Sequence, residues 1–121
     1  MTSVLARIVI GTACATLVLA ATGCGSRSAV PLDGTVGPGY AISLKTTGGK
    51  LVDVTKPGRY AITVDDRSAF LNFHLFGPGV NEATSIPGTG VVHWTVDLRR
   101  GVYQYQCDAH ASIVHGTFRV G

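Results

Sequence analysis

Charged residues are scarce in this sequence, and the few cations are dispersed. Only 14% of the 121 residues are charged, and the formal net charge is +3. The sequence contains no dense basic stretch and no basic helix, so it gives little support to nucleic-acid binding. Internal repeats and low-complexity tracts are also missing. The sixteen glycines and five prolines favour a small all-β domain with many turns over a helical bundle.

Long apolar runs are missing too, apart from one at the N-terminus. Arg7 supplies a positive charge there, and 8–21 is a mostly apolar run that is too short for a comfortable membrane span. This pattern predicts that residues 1–23 form a secretory signal.

The predicted signal ends in small residues directly before Cys24. This junction resembles a bacterial lipobox, in which the cysteine is acylated and becomes the mature N-terminus. We therefore expect a lipidated tether over residues 24–39, which Pro31 and Pro38 interrupt, and an extracytoplasmic protein anchored by lipid to the bacterial cell membrane. An ordinary signal peptide followed by an incidental cysteine is the alternative.

Cysteine is scarce as well, and the three copies have different expected fates. Cys14 is removed with the signal, Cys24 is lipidated, and Cys107 is left without a disulfide partner in its own chain. Because a lone thiol is a liability in an oxidising compartment, we expect Cys107 to be buried or coordinated to a metal.

From Tyr40 onward the sequence alternates between apolar and polar residues with the period of a β-strand. About seven short segments of this kind are separated by turn-forming residues, and no helical period appears. We therefore predict that residues 40–121 form an antiparallel Greek-key β-sandwich. Its predicted core consists of Tyr60, Ile62, Phe73, Leu75, Trp94 and Val96.

The C-terminal segment carries the residues most suited to metal chemistry. Tyr103, Tyr105 and Cys107 fall on one face of a predicted strand, and His110 follows three residues later in a short loop. A thiolate beside an imidazole suits copper or zinc. A buried free thiol next to a loop histidine is the alternative.

Two segments together resemble the ligand-bearing parts of cupredoxins, most closely the plastocyanin and amicyanin branch. One segment runs from Gly101 through Cys107 and His110 to Val120, and the other covers 71–80. The resemblance implies that Cys107 is the thiolate ligand and His110 an imidazole ligand of one copper ion. It also implies electron transfer or copper handling, with a redox or copper-exchange protein as partner.

The sequence departs from the cupredoxin pattern at two expected ligand positions. Leu71 stands where relatives carry the first histidine ligand, and Val114 stands where they carry the axial methionine. Met1 is the only methionine in the chain, so no other thioether can replace it. His74 and His115 remain candidate replacement ligands, although an outward-facing role is favoured for His74 and a solvated one for His115.

The sequence thus supports two functional hypotheses. The first is a membrane-anchored cupredoxin-like protein that binds copper and passes on electrons or the metal. The alternative is a metal-free cupredoxin-like β-sandwich that serves as a binding or structural module at the cell surface. An enzyme with a cysteine nucleophile is not expected, because no third orienting residue accompanies Cys107 and His110.

Overall fold

The computed structural model describes residues 28–121, and this part of the chain folds into two packed β-sheets. One short 3₁₀ helix, Asp108–His110, follows the eighth strand. The nine strands are β1 Val30–Val36, β2 Ile42–Thr46, β3 Val54–Thr55, β4 Gly58–Asp66, β5 His74–Gly77, β6 Val80–Ala83, β7 Gly90–Leu98, β8 Gly101–Gln106 and β9 His115–Val120. The strand order is β2-β1-β4-β7 in one sheet and β3-β9-β8-β5-β6 in the other. The predicted all-β sandwich is confirmed.

Both sheets are mixed, whereas the sequence predicts antiparallel pairing throughout. β1 runs parallel to β4, with Val30 opposite Tyr60 and Val36 opposite Asp66. The two-residue strand β3 runs parallel to β9. All other strand pairs are antiparallel. Neither parallel pair joins strands that are consecutive in sequence, as a short hairpin would require for antiparallel pairing.

The first strand corrects the predicted domain boundary. The sequence predicts a tether over 24–39, but β1 occupies Val30–Val36 and lies between β2 and β4. Leu32 and Val36 point into the core with 2% and 0% of their surface exposed. A tether would leave these apolar side chains in water. Because they are buried instead, residues 30–36 belong to the folded domain. Residues 24–27 and the predicted signal lie outside the described residues.

The core lies between the two sheets and is dominated by aromatic and branched aliphatic side chains. The Phe73 and Tyr105 rings stack with centroids 5.4 Å apart, and Tyr103 stacks on Phe118 at the same distance. Five of the six predicted core residues are buried, whereas Trp94 is only half-buried and packs against the core edge.

Tyr103 closes one end of the sandwich from within. Its ring is fully buried, while its hydroxyl accepts a hydrogen bond from the Arg99 amide at 3.0 Å and donates toward the Pro78 carbonyl at 2.9 Å. Tyr103 and Tyr105 are thus both core residues, with 0% and 3% of their surface exposed.

The sandwich has two distinct ends. β1 begins at Val30 at one end, here called the Val30 end, together with the start of β4 and the turn between β7 and β8. The opposite end, here called the His110 end, holds the Cys107–Val114 loop and the chain after β1, because Tyr40 contacts His110. Within residues 28–121 no helix is long and apolar enough to cross a membrane.

Candidate metal centre

Cys107 directly follows β8 and lies wholly inside the protein. None of its surface is exposed, and its thiol is free. Its amide donates to the Val114 carbonyl at 2.9 Å, and its carbonyl accepts a hydrogen bond from the His110 amide at 3.1 Å. These two bonds fold residues 107–114 into a tight loop that brings Cys107 and Val114 together.

His110 lies at the rim of the same loop and is partly exposed. Its ring packs against Tyr40 with centroids 5.0 Å apart, and its carbonyl accepts hydrogen bonds from the Ile113 and Val114 amides. The structure therefore brings both predicted cupredoxin-type ligands to one end of the sandwich, Cys107 below the surface and His110 on it.

Leu71 and Val114 occupy the remaining expected ligand positions, and both are buried. Their exposed fractions are 2% and 1%, and they belong to the same apolar core as Cys107. The region where a second imidazole and a thioether are expected therefore contains aliphatic side chains.

Both ring nitrogens of His74 are engaged in hydrogen bonds with other side chains. Nδ1 bonds Oδ1 of Asp108 at 2.8 Å, and Nε2 bonds Oδ1 of Asn81 at 2.6 Å. Only an imidazolium can donate to two acceptors at once, so the geometry favours the protonated ring. This geometry agrees with the outward-facing role favoured for His74, and its role as a metal ligand stays a prediction.

The pKa values of His74 and Asp108 move in the directions that this pair requires. Burial alone lowers the pKa of His74, but the hydrogen bonds to Asp108 and Asn81 and the carboxylate charge outweigh it, so the pKa is raised. Burial pushes the pKa of Asp108 upward, but hydrogen bonds from Asn72, His74 and Gln106 hold it below its usual value.

Asn72 joins the Leu71 segment to the cysteine loop, and the sequence reasoning missed this role. Its Nδ2 donates to Oδ2 of Asp108 at 3.0 Å and to the Thr84 carbonyl at 3.3 Å. Its Oδ1 accepts the Asp108 amide at 2.9 Å. Strand alternation predicts that Asn72 faces outward, opposite Phe73, but only 5% of its surface is exposed. The only available signal was an amide between two apolar residues, Leu71 and Phe73.

A second buried polar group supports the same segment from the other sheet. The Asp66 carboxylate is 3% exposed and accepts hydrogen bonds from the Thr84 hydroxyl at 2.8 Å and the Ser68 amide at 3.1 Å. The Thr84 hydroxyl oxygen in turn accepts the Phe73 amide at 2.8 Å. These bonds fix the backbone on both sides of Leu71.

The residues present do not fit a blue copper centre. Such a centre takes one thiolate, two imidazoles and a weak axial ligand. Residues 28–121 contain no group of three or more His, Cys, Asp or Glu side chains placed to hold a metal ion. His115 is exposed, and its Nδ1 contacts the Ala111 carbonyl at 2.8 Å, so it does not take the axial place. The proposed lipidation site, Cys24, lies outside the described residues.

The chain is similar to known proteins in structure but not in sequence. No family model and no curated protein matches the sequence. Reduced rusticyanin aligns with a TM-score of 0.56 and 18% identity over 80% of this chain and 82% of that chain. Rusticyanin from Thiobacillus ferrooxidans aligns with a TM-score of 0.52 and 20% identity over 79% of both chains. A methionine-to-glutamine variant of rusticyanin aligns with a TM-score of 0.57 and 20% identity over 79% of this chain and 80% of that chain. The chain therefore has a cupredoxin-like fold, as its sequence motifs imply.

Proposed function

We propose that this chain is an extracytoplasmic, lipid-anchored cupredoxin-like protein that binds a partner protein through its His110 end and lacks a blue copper centre. The observation that carries the proposal is the burial of Leu71 and Val114 in the same apolar core as Cys107. The role is one of binding rather than catalysis.

The free energy of burying aliphatic side chains favours a closed centre, in which Leu71 and Val114 fill the expected ligand positions, over a metal site. Full burial of a leucine or valine side chain contributes about 1.5–3 kcal/mol each. A copper ion at Cys107 would have to displace Leu71 or Val114, and neither offers a donor atom in return. The network of Asn72, Asp108 and His74 also holds the cysteine loop in its closed position.

The surface around His110 has the composition of a protein-binding site. Phe70 is 80% exposed, Tyr40 66% and Ile113 61%. Tyr40 packs on His110, and Ile113 bonds to the His110 carbonyl. Phe70 directly precedes Leu71 at this end of the sandwich. Clustered apolar side chains of this size on a monomer surface mark interaction sites.

Titration of the purified protein with Cu(II) tests the missing copper centre. We expect no intense thiolate-to-copper absorption band and no copper-specific rise in melting temperature, because a ligand stabilises only a fold that binds it. Stoichiometric binding with such a band, lost in Cys107→Ala, would overturn this part of the proposal.

Copper binding through Cys107 and His110 remains the second candidate function. The retained C-x-x-H spacing favours it, and so does the fold, because one structural neighbour is described as the copper protein rusticyanin. In that case the partner would be a redox or copper-exchange protein, as the resemblance implies. The same titration decides between the two candidates.

Photo-crosslinking in intact cells tests the docking surface. A benzophenone amino acid at Phe70 is expected to give a discrete adduct with a protein partner. The matched control is the same substitution at Val102, which is 58% exposed and lies at the Val30 end. Equal adducts at both positions, or none at Phe70, would contradict docking at the His110 end.

A further inference from the structure

The Val30 end differs from the His110 end in charge. Exposed cations lie in the turns of the Val30 end: Lys50, Lys56, Arg99 and Arg100. At the His110 end, Arg67 is the one Lys or Arg in the connecting segments of residues 28–121 and is paired with Asp65 at 2.7 Å, and Asp108 is paired with His74. Charge is therefore distributed unevenly along the strand direction, and the basic side chains lie at the end where β1 begins.

An apolar groove accompanies these cations. It has a volume of about 450 Å³, and its lining includes Val30, Leu51 and Val54, which are 51%, 55% and 63% exposed. Lys50 lies on the groove wall, and Lys56 directly follows its last β3 residue, Thr55. Asp53 is the acidic member of the lining. Apolar side chains surrounded by lysines are suited to the boundary between lipid headgroups and acyl chains.

The chain's own anchor places this end next to a membrane. Five residues lie between Cys24 and Val30, and the six residue-to-residue steps that join them span at most about 21 Å when fully extended. A lipid on Cys24 therefore confines the Val30 end to the immediate neighbourhood of the bilayer. This step depends on the lipidation included in the proposed function.

We propose that the Val30 end is a membrane-contacting surface for anionic lipid. Val30, Leu51 and Val54 enter the interfacial region, and Lys50 and Lys56 contact acidic headgroups. In this orientation the strands stand away from the membrane, and the His110 end faces outward, where a partner protein can reach it.

Fluorescence quenching by brominated lipid tests the proposed contact. The full chain, produced as a lipoprotein and carrying Trp94→Phe, is reconstituted in vesicles of brominated phosphatidylcholine and phosphatidylglycerol. A tryptophan introduced as Val54→Trp is expected to be quenched strongly. The matched control is Val91→Trp, because Val91 is 56% exposed and lies opposite Asp65 near the other end. Circular dichroism verifies that both variants are folded.

Charge and salt give a second measurement of the same contact. Each lysine near an anionic surface contributes about 1 kcal/mol, or roughly a fivefold change in contact equilibrium. Lys50→Glu with Lys56→Glu should therefore abolish most quenching at position 54, and pure phosphatidylcholine vesicles or 0.5 M salt should do the same. Equal quenching at positions 54 and 91, or quenching unaffected by these changes, overturns the proposal.

Mass spectrometry of the mature protein shows whether Cys24 carries lipid, and so tests the anchor independently of the membrane-contacting surface. If Cys24 carries lipid but the tryptophan at position 54 is not quenched, the lipid anchor is supported and the proposal that the Val30 end contacts the membrane is wrong. If Cys24 carries no lipid, the same mature chain is mixed with anionic vesicles at low salt. Quenching at position 54 then supports the surface without the anchor, and its absence overturns both.

Discussion

His74 shows how a histidine that looks like a metal ligand becomes a structural cation. Its two ring nitrogens face a carboxylate and an amide oxygen, and the carboxylate belongs to the residue that follows Cys107. A proton, not a metal ion, satisfies this environment. The bond pair links β5 to the cysteine loop, so it stabilises the closed form of the centre.

The first prediction concerns the pH dependence of this pair. Because the pKa of His74 is raised above 6.5, its contribution to stability is complete below pH 6.5 and is lost as the pH rises through the raised value. Because the pKa of Asp108 is lowered, its contribution is present above pH 3.8 and is lost as the pH falls through the lowered value. His74→Gln should therefore lower the free energy of unfolding by about 1 kcal/mol near pH 5.

Urea unfolding between pH 5 and 9 measures this effect. The difference between wild type and His74→Gln should shrink as the pH rises. His93→Gln is the control, since His93 is exposed and its only side-chain bond is to the Thr63 hydroxyl. A difference that stays constant across this range would show that the protonated form of His74 does not stabilise the fold.

The second prediction concerns the two aliphatic residues of the closed centre. Leu71→His with Val114→Met should produce an intense blue absorption on addition of Cu(II), because Cys107 and His110 are already in place. Without metal the double variant should be less stable by about 1–3 kcal/mol, since it buries a polar ring. Absorption spectroscopy and unfolding measure the two effects.

Leu71→His alone serves as the control for the axial residue. It supplies the second imidazole without the thioether, so it tests whether the three stronger ligands suffice. If the double variant folds and remains colourless with copper, then residue 71 does not occupy the ligand position that the resemblance assigns to it.

Single residues of the centre were predictable from the sequence to different degrees. Cys107 and His110 could be located from strand alternation and the C-x-x-H spacing, and the resemblance to cupredoxins implied the positions of Leu71 and Val114. The engagement of His74 could not, since it depends on Asn81 and Asp108, which come from other elements. The burial of Asn72 was missed for the same reason: its partner, Asp108, is 36 residues away.

At the scale of elements, β1 determines where the domain begins. Its sequence contains Pro31, Asp33 and Gly34, which are turn-forming residue types and make it look like a linker. Tertiary contacts override this local preference, because β2 and β4 pair with both of its edges. Strands with clean alternation, such as β4 and β7, were predictable, whereas β6 was not, because three of its four residues are exposed and its sequence lacks apolar alternation.

The third prediction tests β1 directly. Leu32→Ala should lower the free energy of unfolding by about 2–5 kcal/mol, because it leaves a cavity beneath the strand. Val30→Ala, two residues earlier on the same strand but 51% exposed, should change it by less than about 0.5 kcal/mol. Denaturant unfolding compares the two. Similar small effects for both would place 30–36 outside the folded domain, as a tether requires.

At the scale of the whole molecule, the fold separates two surfaces. The apolar surface at the His110 end and the basic groove at the Val30 end lie at opposite ends of the strands. A seven-residue strand such as β1 spans roughly 23 Å, so a membrane contact at one end leaves the other free. The sequence alone did not reveal that basic side chains concentrate at the Val30 end, because the four basic turn residues come from three separate connections and meet only in the fold.

The central position of β1 also has a mechanical consequence. In the proposed lipid-anchored form, a pull from the bilayer would reach the domain through this strand. Its register pairs with β2 and β4 would bear the load on both sides at once, instead of breaking one after another as at a peeled edge.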